Sequence, residues 1–394
     1  MEKEYCIGYK AAGLSSGIKK NGKKDLGIII SESPASVAGV FTTNRVQAAP
    51  VVLDKERIKT GVCQAIIVNS GNANCCTGEQ GIRDAKAMAS SVAKELGISE
   101  EMVLVASTGV IGEPLPIRKI EENVPDIAKS AIADGFQDFA EAIMTTDTIP
   151  KLIVRQGSID GKRFNVVGVA KGAGMIHPNM ATLLGFICAD IKIDSNTLSH
   201  ALQEANKKSF NRISVDGDTS TNDTLLIMAN GLSGAQLKNT EHLKTFQDIL
   251  DDVMIHLSRM IVKDAEGATK LVEISVKGAK SDADATKIAD AIAGSSLVKT
   301  ALFGEDANWG RILAAAGRAG ADLEPDRVEI YFNDALMVKE GMGCGPEAEV
   351  HATKVLRESE FSISVHLNLG NGQASVVTCD LSIDYVKINA DYRS

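Results

Sequence analysis

Apolar residues along this chain fall into short unbroken runs, which alternate with longer stretches that repeat every three or four positions. These are the signatures of buried strands and amphipathic helices. Ala65-Ile66-Ile67-Val68 is a buried strand that enters the loop Asn69-Ser70-Gly71-Asn72. Ala85, Met88, Ala89, Val92, Ala93 and Leu96 then repeat at helical spacing, and Gly97 stops the helix as a left-handed cap. Val103-Leu104-Val105 is a strand running into Ser107-Thr108-Gly109, and Phe164 to Val169 another, delivering the chain into Lys171-Gly172-Ala173-Gly174. Leu183 to Ile193 reads as one long apolar strand, followed by a helix with Leu198, Ala201, Leu202 and Ala205 on its inner face. A longer helix places Leu243, Phe246, Ile249, Leu250, Val253, Met254, Leu257 and Ile261 on one stripe. Val272, Ile274 and Val276 alternate as a strand, and further strands are expected at 327–333, 361–367 and 375–388, the last running nearly to the terminal residue. Strands and helices in alternation predict an α/β fold. A change of composition at 278–284 divides a core of roughly 1–280 from a smaller α/β domain at 281–394, and 394 residues exceed what one hydrophobic core usually covers.

Composition narrows the functional classes. With 44% hydrophobic and 24% charged residues the chain is ordinary for a globular protein, and a net charge of -9 argues against a nucleic-acid partner. The one basic run, Lys19-Lys20-Asn21-Gly22-Lys23-Lys24, contains a turn signal and reads as a solvated hairpin tip. Seven cysteines show no paired metal spacing and no disulfide framework, so reduced thiols and a cytoplasmic location are expected. The start carries acids where a signal peptide needs an apolar core, and no apolar run is long enough to span a bilayer. Six scattered histidines predict no metal site, and His177, just before Pro178, reads as loop structure. Asp216, Asp218 and Asp223 lack the final glutamate of a calcium loop and read as a buried turn.

The chemistry concentrates where a Gly-rich loop ends in the small residue Ala181, followed by Thr182 at the mouth of an apolar strand. As a phosphate loop it fails: no Gly-Lys-Ser/Thr follows, and a strand comes next instead of a helix. As a dinucleotide fingerprint it lacks the third glycine before a helix. A threonine that processes itself is the third reading, and spacing alone does not select it over an ordinary exposed threonine.

The whole chain, however, resembles the ornithine acetyltransferase (glutamate N-acetyltransferase) family of arginine biosynthesis. The resemblance is carried by Lys171-Gly-Ala-Gly, Ala181-Thr-Leu-Leu184, Val68-Asn-Ser-Gly-Asn-Ala-Asn74, Ser107-Thr-Gly-Val-Ile-Gly112, Thr145-Thr-Asp-Thr148, Ser214-Val-Asp-Gly-Asp-Thr-Ser-Thr-Asn-Asp223, Gly304-Glu-Asp-Ala-Asn-Trp-Gly-Arg311 and the tail Asn389-Ala-Asp-Tyr-Arg-Ser394. Ala173 departs from the commoner serine.

Members of that family are cut before the threonine of this motif. The resemblance therefore implies cleavage between Ala181 and Thr182 into pieces 1–181 and 182–394, which stay together as a heterotetramer. Freed Thr182 would carry a hydroxyl beside its own α-amine, whose ordinary pKa of about 7.7–8.0 suits a base. Thr108 and Gly109, at a strand end, are the implied oxyanion hole. Lys171, Thr145, Glu266, Asn389, Ser394 and Thr182 match substrate-binding positions. Lys171 has a physical argument of its own, since N-acetylornithine and glutamate both carry an α-carboxylate. Glu266, at the end of the long helix, gains nothing from the helix dipole there, which favours a ligand role. The implied fold is that of the self-cleaving aminopeptidases and ornithine acetyltransferases, sheets sandwiched between helices with a smaller C-terminal domain. The implied reaction moves acetyl from N-acetylornithine to glutamate, with no cofactor or metal, small-molecule partners only, and acetyl-CoA left open as a second donor. Water as acceptor, making an aminopeptidase or amidase, and a non-catalytic binding protein are the competing readings.

Overall fold

The computed structural model describes residues 5–177 and 183–391. The described parts of Met1–Met175, Asn179–Asn211 and Thr219–Ile261 form one compact unit, and those of Ile176–Pro178, Arg212–Asp218 and Val262–Ser394 a second.

In chain order the strands are Tyr9–Leu14 (β1), Leu26–Phe41 (β2), Val62–Asn72 (β3), Val103–Val110 (β4), Lys151–Ile159 (β5), Lys162–Lys171 (β6), Leu184–Ala189 (β7), Ile213–Ser214 (β8) and Thr224–Ala229 (β9). All but β8 build the first unit's sheet, ordered β4-β3-β2-β9-β7-β6-β5 with β1 on β2. Its helices are Ala49–Arg57 (α1), Gly78–Leu96 (α2), Ile117–Ser130 (α3), Phe136–Ile143 (α4), Ser195–Lys208 (α5) and the body of Thr240–Lys263 (α6). The two-residue period of the strands decides which helix covers which face. Ala65, Ile67, Val103 and Val105 point into a cluster with Ala85, Met88 and Val92 of α2 and Ile120, Val124 and Ile127 of α3. Ile66, Val68, Leu104 and Ala106 point the other way, onto Phe136, Phe139 and Ala140 of α4. Burying both faces explains why these strands read as unbroken apolar runs.

In the second unit follow Leu271–Ala279 (β10), Glu329–Phe332 (β11), Ala335–Lys339 (β12), Met342–Gly343 (β13), Glu360–His366 (β14) and Gly372–Cys379 (β15). With β8 they form a sheet ordered β13-β12-β11-β14-β10-β15-β8. Its helices are Asp282–Ala293 (α7), Ser296–Phe303 (α8), Trp309–Gly317 (α9), Pro346–Leu356 (α10) and Ile383–Ala390 (α11). Val272, Ile274 and Val276 meet Ala285, Ile288, Ala289 and Ile292 of α7 in its core.

Four local expectations need correction. The strand from Leu183 stops at Ala189, because the next residue, buried Asp190, turns its carboxylate onto the amides of Asn165 and Ile7 at 2.7 and 3.0 Å. The stretch 375–388 is a strand only to Cys379. Asp380 then accepts the amides of Thr269 and Lys270 at 2.8 and 2.9 Å, and the Ser382 side chain caps α11 by accepting the Tyr385 amide. The basic run does join the antiparallel pair β1–β2, but Lys19 is half-buried instead of solvated. Asp216 and Asp218 do make an Asx turn, with the Asp218 amide 3.3 Å from Asp216 Oδ1, yet that turn is not buried and Asp223 belongs to the first unit.

Candidate active site

The end of β4 is where the first unit's geometry turns unusual. β3 and β4 run parallel, pairing Ser70 with Thr108 and Gly71 with Gly109, and the register slips at Gly71–Asn72. Gly109 has φ +134, and a Cβ there would lie 2.3 Å from the Gly71 carbonyl carbon, so no other residue fits. Thr108 beside it is buried. Side chains brace this strand end from beneath. The Ser107 hydroxyl donates to Asn69 Oδ1 at 2.6 Å, and Asn69 Nδ2 donates to the Asn72 carbonyl at 2.9 Å. Asn222 Nδ2 donates to the carbonyls of Ala73 and Ser107, both at 2.7 Å.

The next residue, Asp223, grips a different segment. Its Oδ1 accepts the Leu183 amide at 3.0 Å, and the Leu183 carbonyl accepts the Thr224 amide at 3.1 Å. Consecutive residues Asn222 and Asp223 thus hold the chain neighbour of Thr108 on one side and of Thr182 on the other. Complete burial pushes the Asp223 carboxyl well above the usual carboxylate range, although the Leu183 amide and the charge of Lys171 pull the other way. Its Oδ2 has no hydrogen-bond partner among the described residues.

Lys171 closes β6 and is buried. Its Nζ donates to the Thr145 hydroxyl at 2.7 Å and lies 3.8 Å from Asp147 Oδ2. Asp147 is the hub of this corner. Oδ1 accepts Lys151 Nζ at 2.8 Å and the Gly172 amide at 2.7 Å, and Oδ2 accepts the Thr145 amide at 3.0 Å. Burial alone would raise its pKa, but the charges of Lys171 and Lys151 and these hydrogen bonds prevail and hold it well below the usual range. Lys151, fully buried, is the second cation on that carboxylate.

In the second unit, Glu266 lies in the turn beyond α6 and is buried. Its Oε2 accepts Asn389 Nδ2 at 2.8 Å, and Asn389 also donates to the Tyr385 carbonyl one helical turn back. The contact depends on Gly267 (φ +67), where a Cβ would fall 2.6 Å from the Tyr385 amide nitrogen. The Ser382 hydroxyl donates to the Gly267 carbonyl at 2.6 Å, seating α11 on this turn. Tyr385 Oη donates to Asp216 Oδ2 at 3.2 Å, and burial followed by that carboxylate pushes the phenol upward.

Of the residues singled out by sequence, Thr145 and Lys171 come together in the first unit, where Thr108 and Gly109 share a strand end, and Glu266 meets Asn389 in the second. Ala181, Thr182 and Ser394 lie outside the described residues. Sequence reasoning missed Asp147, Lys151, Asn69, Asn222 and Asp223 as bracing groups. Their one signal was their place inside or beside polar motifs, and only the fold shows what each one grips. No three His, Cys, Asp or Glu side chains converge as a metal cage among the described residues, and no described helix is long and apolar enough to cross a membrane.

Comparison with known proteins gives a consistent answer. Residues 10–394 match the model of the ArgJ family. The arginine biosynthesis bifunctional protein ArgJ of Geobacter sulfurreducens is 52% identical over 98% of this chain and 99% of its own length. The protein of the same name from Syntrophotalea carbinolica is 50% identical over 98% and 99%. The crystal structure of arginine biosynthesis bifunctional protein ArgJ from Bacillus halodurans aligns with TM-score 0.50 and 41% identity, over 52% of this chain and 97% of the solved one.

Proposed function

Because this chain belongs to the ArgJ family of acetyl-transferring enzymes of arginine biosynthesis, we propose that it cuts itself before Thr182 and then carries acetyl from N-acetylornithine to glutamate on that residue. The Thr182 hydroxyl attacks the Ala181 carbonyl, the peptide nitrogen leaves as the α-amine, and water resolves the ester. That amine then takes the hydroxyl proton as Thr182 attacks the acetyl carbonyl of N-acetylornithine. Negative charge on the carbonyl oxygen is met by the Thr108 hydroxyl and the Gly109 amide, and ornithine leaves with the proton. The α-amine of glutamate then attacks the acetyl ester, and the bond to the Thr182 oxygen breaks as that oxygen takes back a proton, giving N-acetylglutamate. Lys171, set by Thr145 and Asp147, takes the α-carboxylate common to both substrates. Glu266 and Asn389 take the ornithine ammonium and orient it.

One observation carries this reading. Asn222 and Asp223, adjacent in sequence, bind the Ser107 carbonyl and the Leu183 amide, the immediate neighbours of the oxyanion donor and the nucleophile. Further support comes from the solved relative, whose whole chain covers about the share of this one that 182–394 makes up. The same reading keeps the pieces 1–181 and 182–394 together as an α2β2 heterotetramer in the cytoplasm, without cofactor. The word bifunctional in the relatives' names supports acetyl-CoA as a second acetyl donor.

A denaturing gel of active protein should show two pieces, the second beginning at Thr182, while Thr182→Ala should give one inactive chain. Labelled acetyl from N-acetylornithine should appear in N-acetylglutamate. Full activity of an uncut chain would refute the proposal, and label found only in free acetate would replace the transferase with a hydrolase.

A further inference from the structure

Lys19 belongs to the basic run that looked like a solvated tip, yet the fold turns its ammonium inward. The hairpin loop between β1 and β2 is pinned by Asp25, which is fully buried: Oδ1 accepts the Ser16 amide and hydroxyl at 2.6 and 2.8 Å, Oδ2 the Lys19 amide at 2.8 Å. The Asp25 carbonyl accepts the Ser70 amide at 2.8 Å, fastening the loop to the end of β3. There a Cβ on Gly71 would touch the Lys19 side chain at 3.2 Å, and Gly71 is the register partner of Gly109. Lys19 Nζ donates to the carbonyls of Met144, which precedes Thr145, and Lys24, both at 2.7 Å.

Both of those acceptors are neutral. No carboxylate of the described residues forms an ion pair with this half-buried ammonium, and Asp25 is committed to the loop's own donors. The charged groups that face it are Asp25 and Lys23 of its loop, Lys171 from β6 and Asp147 from the turn before β5. Burial first, and then Lys171, draw its pKa down to about 8 against the pull of Asp25 and Asp147. A cation held short of a counter-ion beside Thr145 and Lys171 is built to receive an anion.

The two substrates differ in their side chains. Each has an α-carboxylate, but glutamate brings a second carboxylate where ornithine brings an ammonium. We propose that Lys19 is the acceptor-specificity residue of this site, binding the side-chain carboxylate of glutamate while Lys171 binds the α-carboxylate. The proposal rests on the acetyl-transfer reading above.

Glutamine, with the same shape and no side-chain charge, isolates the interaction. The ratio of kcat/KM for glutamate over glutamine should fall roughly ten- to a hundredfold in Lys19→Met, the range for losing one charge-assisted hydrogen bond. Lys19→Arg should keep most of it. In the wild type the ratio should fall as pH rises through about 8, and in Lys19→Arg it should stay flat. The Thr182 amine titrates in a similar pH range but serves both acceptors alike, so it cancels in the ratio. If Lys19→Met slows both acceptors equally, or leaves the ratio alone, while N-acetylornithine still acetylates Thr182, Lys19 is structural and this proposal fails by itself. If the wild type takes no acetyl group on Thr182, the acetyl-transfer reading falls and this one with it.

Discussion

The turn at Asp147 and the residue before β9, Asp223, each bury an aspartate within the field of Lys171, yet their carboxyl pKa values are driven in opposite directions. Asp147 collects Lys151, the Gly172 amide and the Thr145 amide at 2.7–3.0 Å, with Lys171 at 3.8 Å, and its carboxyl stays ionised far below the usual range. Asp223 has one amide partner and an Oδ2 without any among the described residues, and burial drives its carboxyl upward. The charge of Lys171 alone therefore does not decide the outcome, since Asp147 has a second cation in Lys151 and Asp223 does not. At Asp147 the charges of Lys171 and Lys151 join short-range donors that replace water and outweigh burial, whereas at Asp223 burial outweighs the Leu183 amide, Lys171 and Thr42. The difference suits two tasks: a carboxylate held ionised among cations, and a carboxyl pushed toward its neutral form that holds a backbone segment.

The strongest way to break the contrast is to neutralise its charged member. Asp147→Asn leaves Lys151 buried without its counter-charge, and such losses cost about 3–5 kcal/mol. Denaturant unfolding should show that loss at neutral pH together with a collapse of acetyl transfer. Because the native pKa of Asp147 is lowered, its stabilisation is present above the unfolded-state value of about 3.9 and fades as pH falls through the native one. The gap between wild type and variant should therefore narrow below about pH 4. An Asp147→Asn protein as stable as the wild type would mean the lysines do not depend on that charge.

Asp223 should behave in the reverse sense. Its native pKa is raised, so above about 3.9 the folded state holds a proton that the unfolded state has lost, and stability falls with rising pH until the native pKa is passed. One such proton is worth about 1.4 kcal/mol per pH unit. Asp223→Asn, which keeps an acceptor for the Leu183 amide, should remove that slope and lose little stability at pH 4. Asp223→Ala should cost about 1–3 kcal/mol, because the amide is left unsatisfied. Unfolding curves for both variants between pH 4 and 7 would test this, and identical slopes for wild type and Asp223→Asn would show that Asp223 is ionised.

Neither shift was legible in the sequence, and the reason is physical. Periodicity reports which face a residue turns to the core, so the β3 and β4 runs were readable residue by residue and the α6 stripe from Phe246 to Ile261 with the exception of half-buried Ile249. The Ala-Thr-Leu-Leu and Ser-Thr-Gly motifs stood out only through the family resemblance they carry, because spacing alone did not select either one. Asp147 acts on Lys171, 24 positions away in sequence, and Asn222 on Ser107 across 115 positions. Contacts of that separation exist only once β6 lies in its sheet and β9 beside β7. The same holds for Lys19, where turn chemistry in the Asn21-Gly22 segment gave the hairpin but not the fold of its loop back onto Gly71. The error at 375–388 was of another kind: Ile383, Val386 and Ile388 resembled a continuing strand, and the capping role of Ser382 was overlooked.

The smallest expected effect sharpens the comparison by separating charge from hydroxyl at the Asp147 turn. Thr145→Val keeps the shape of the side chain and the backbone amide that Asp147 accepts, and removes only the oxygen that accepts Lys171 Nζ at 2.7 Å. Stability should fall by about 1 kcal/mol, the net worth of a typical hydrogen bond. If Asp147 is what orients Lys171, the KM values for N-acetylornithine and glutamate should rise together by less than about tenfold, because the common α-carboxylate still meets a lysine in place. A rise confined to one substrate would assign the Thr145 hydroxyl a direct contact with that substrate's distinguishing group, and the ionised aspartate would then be a support for the turn instead of the group that aims the cation.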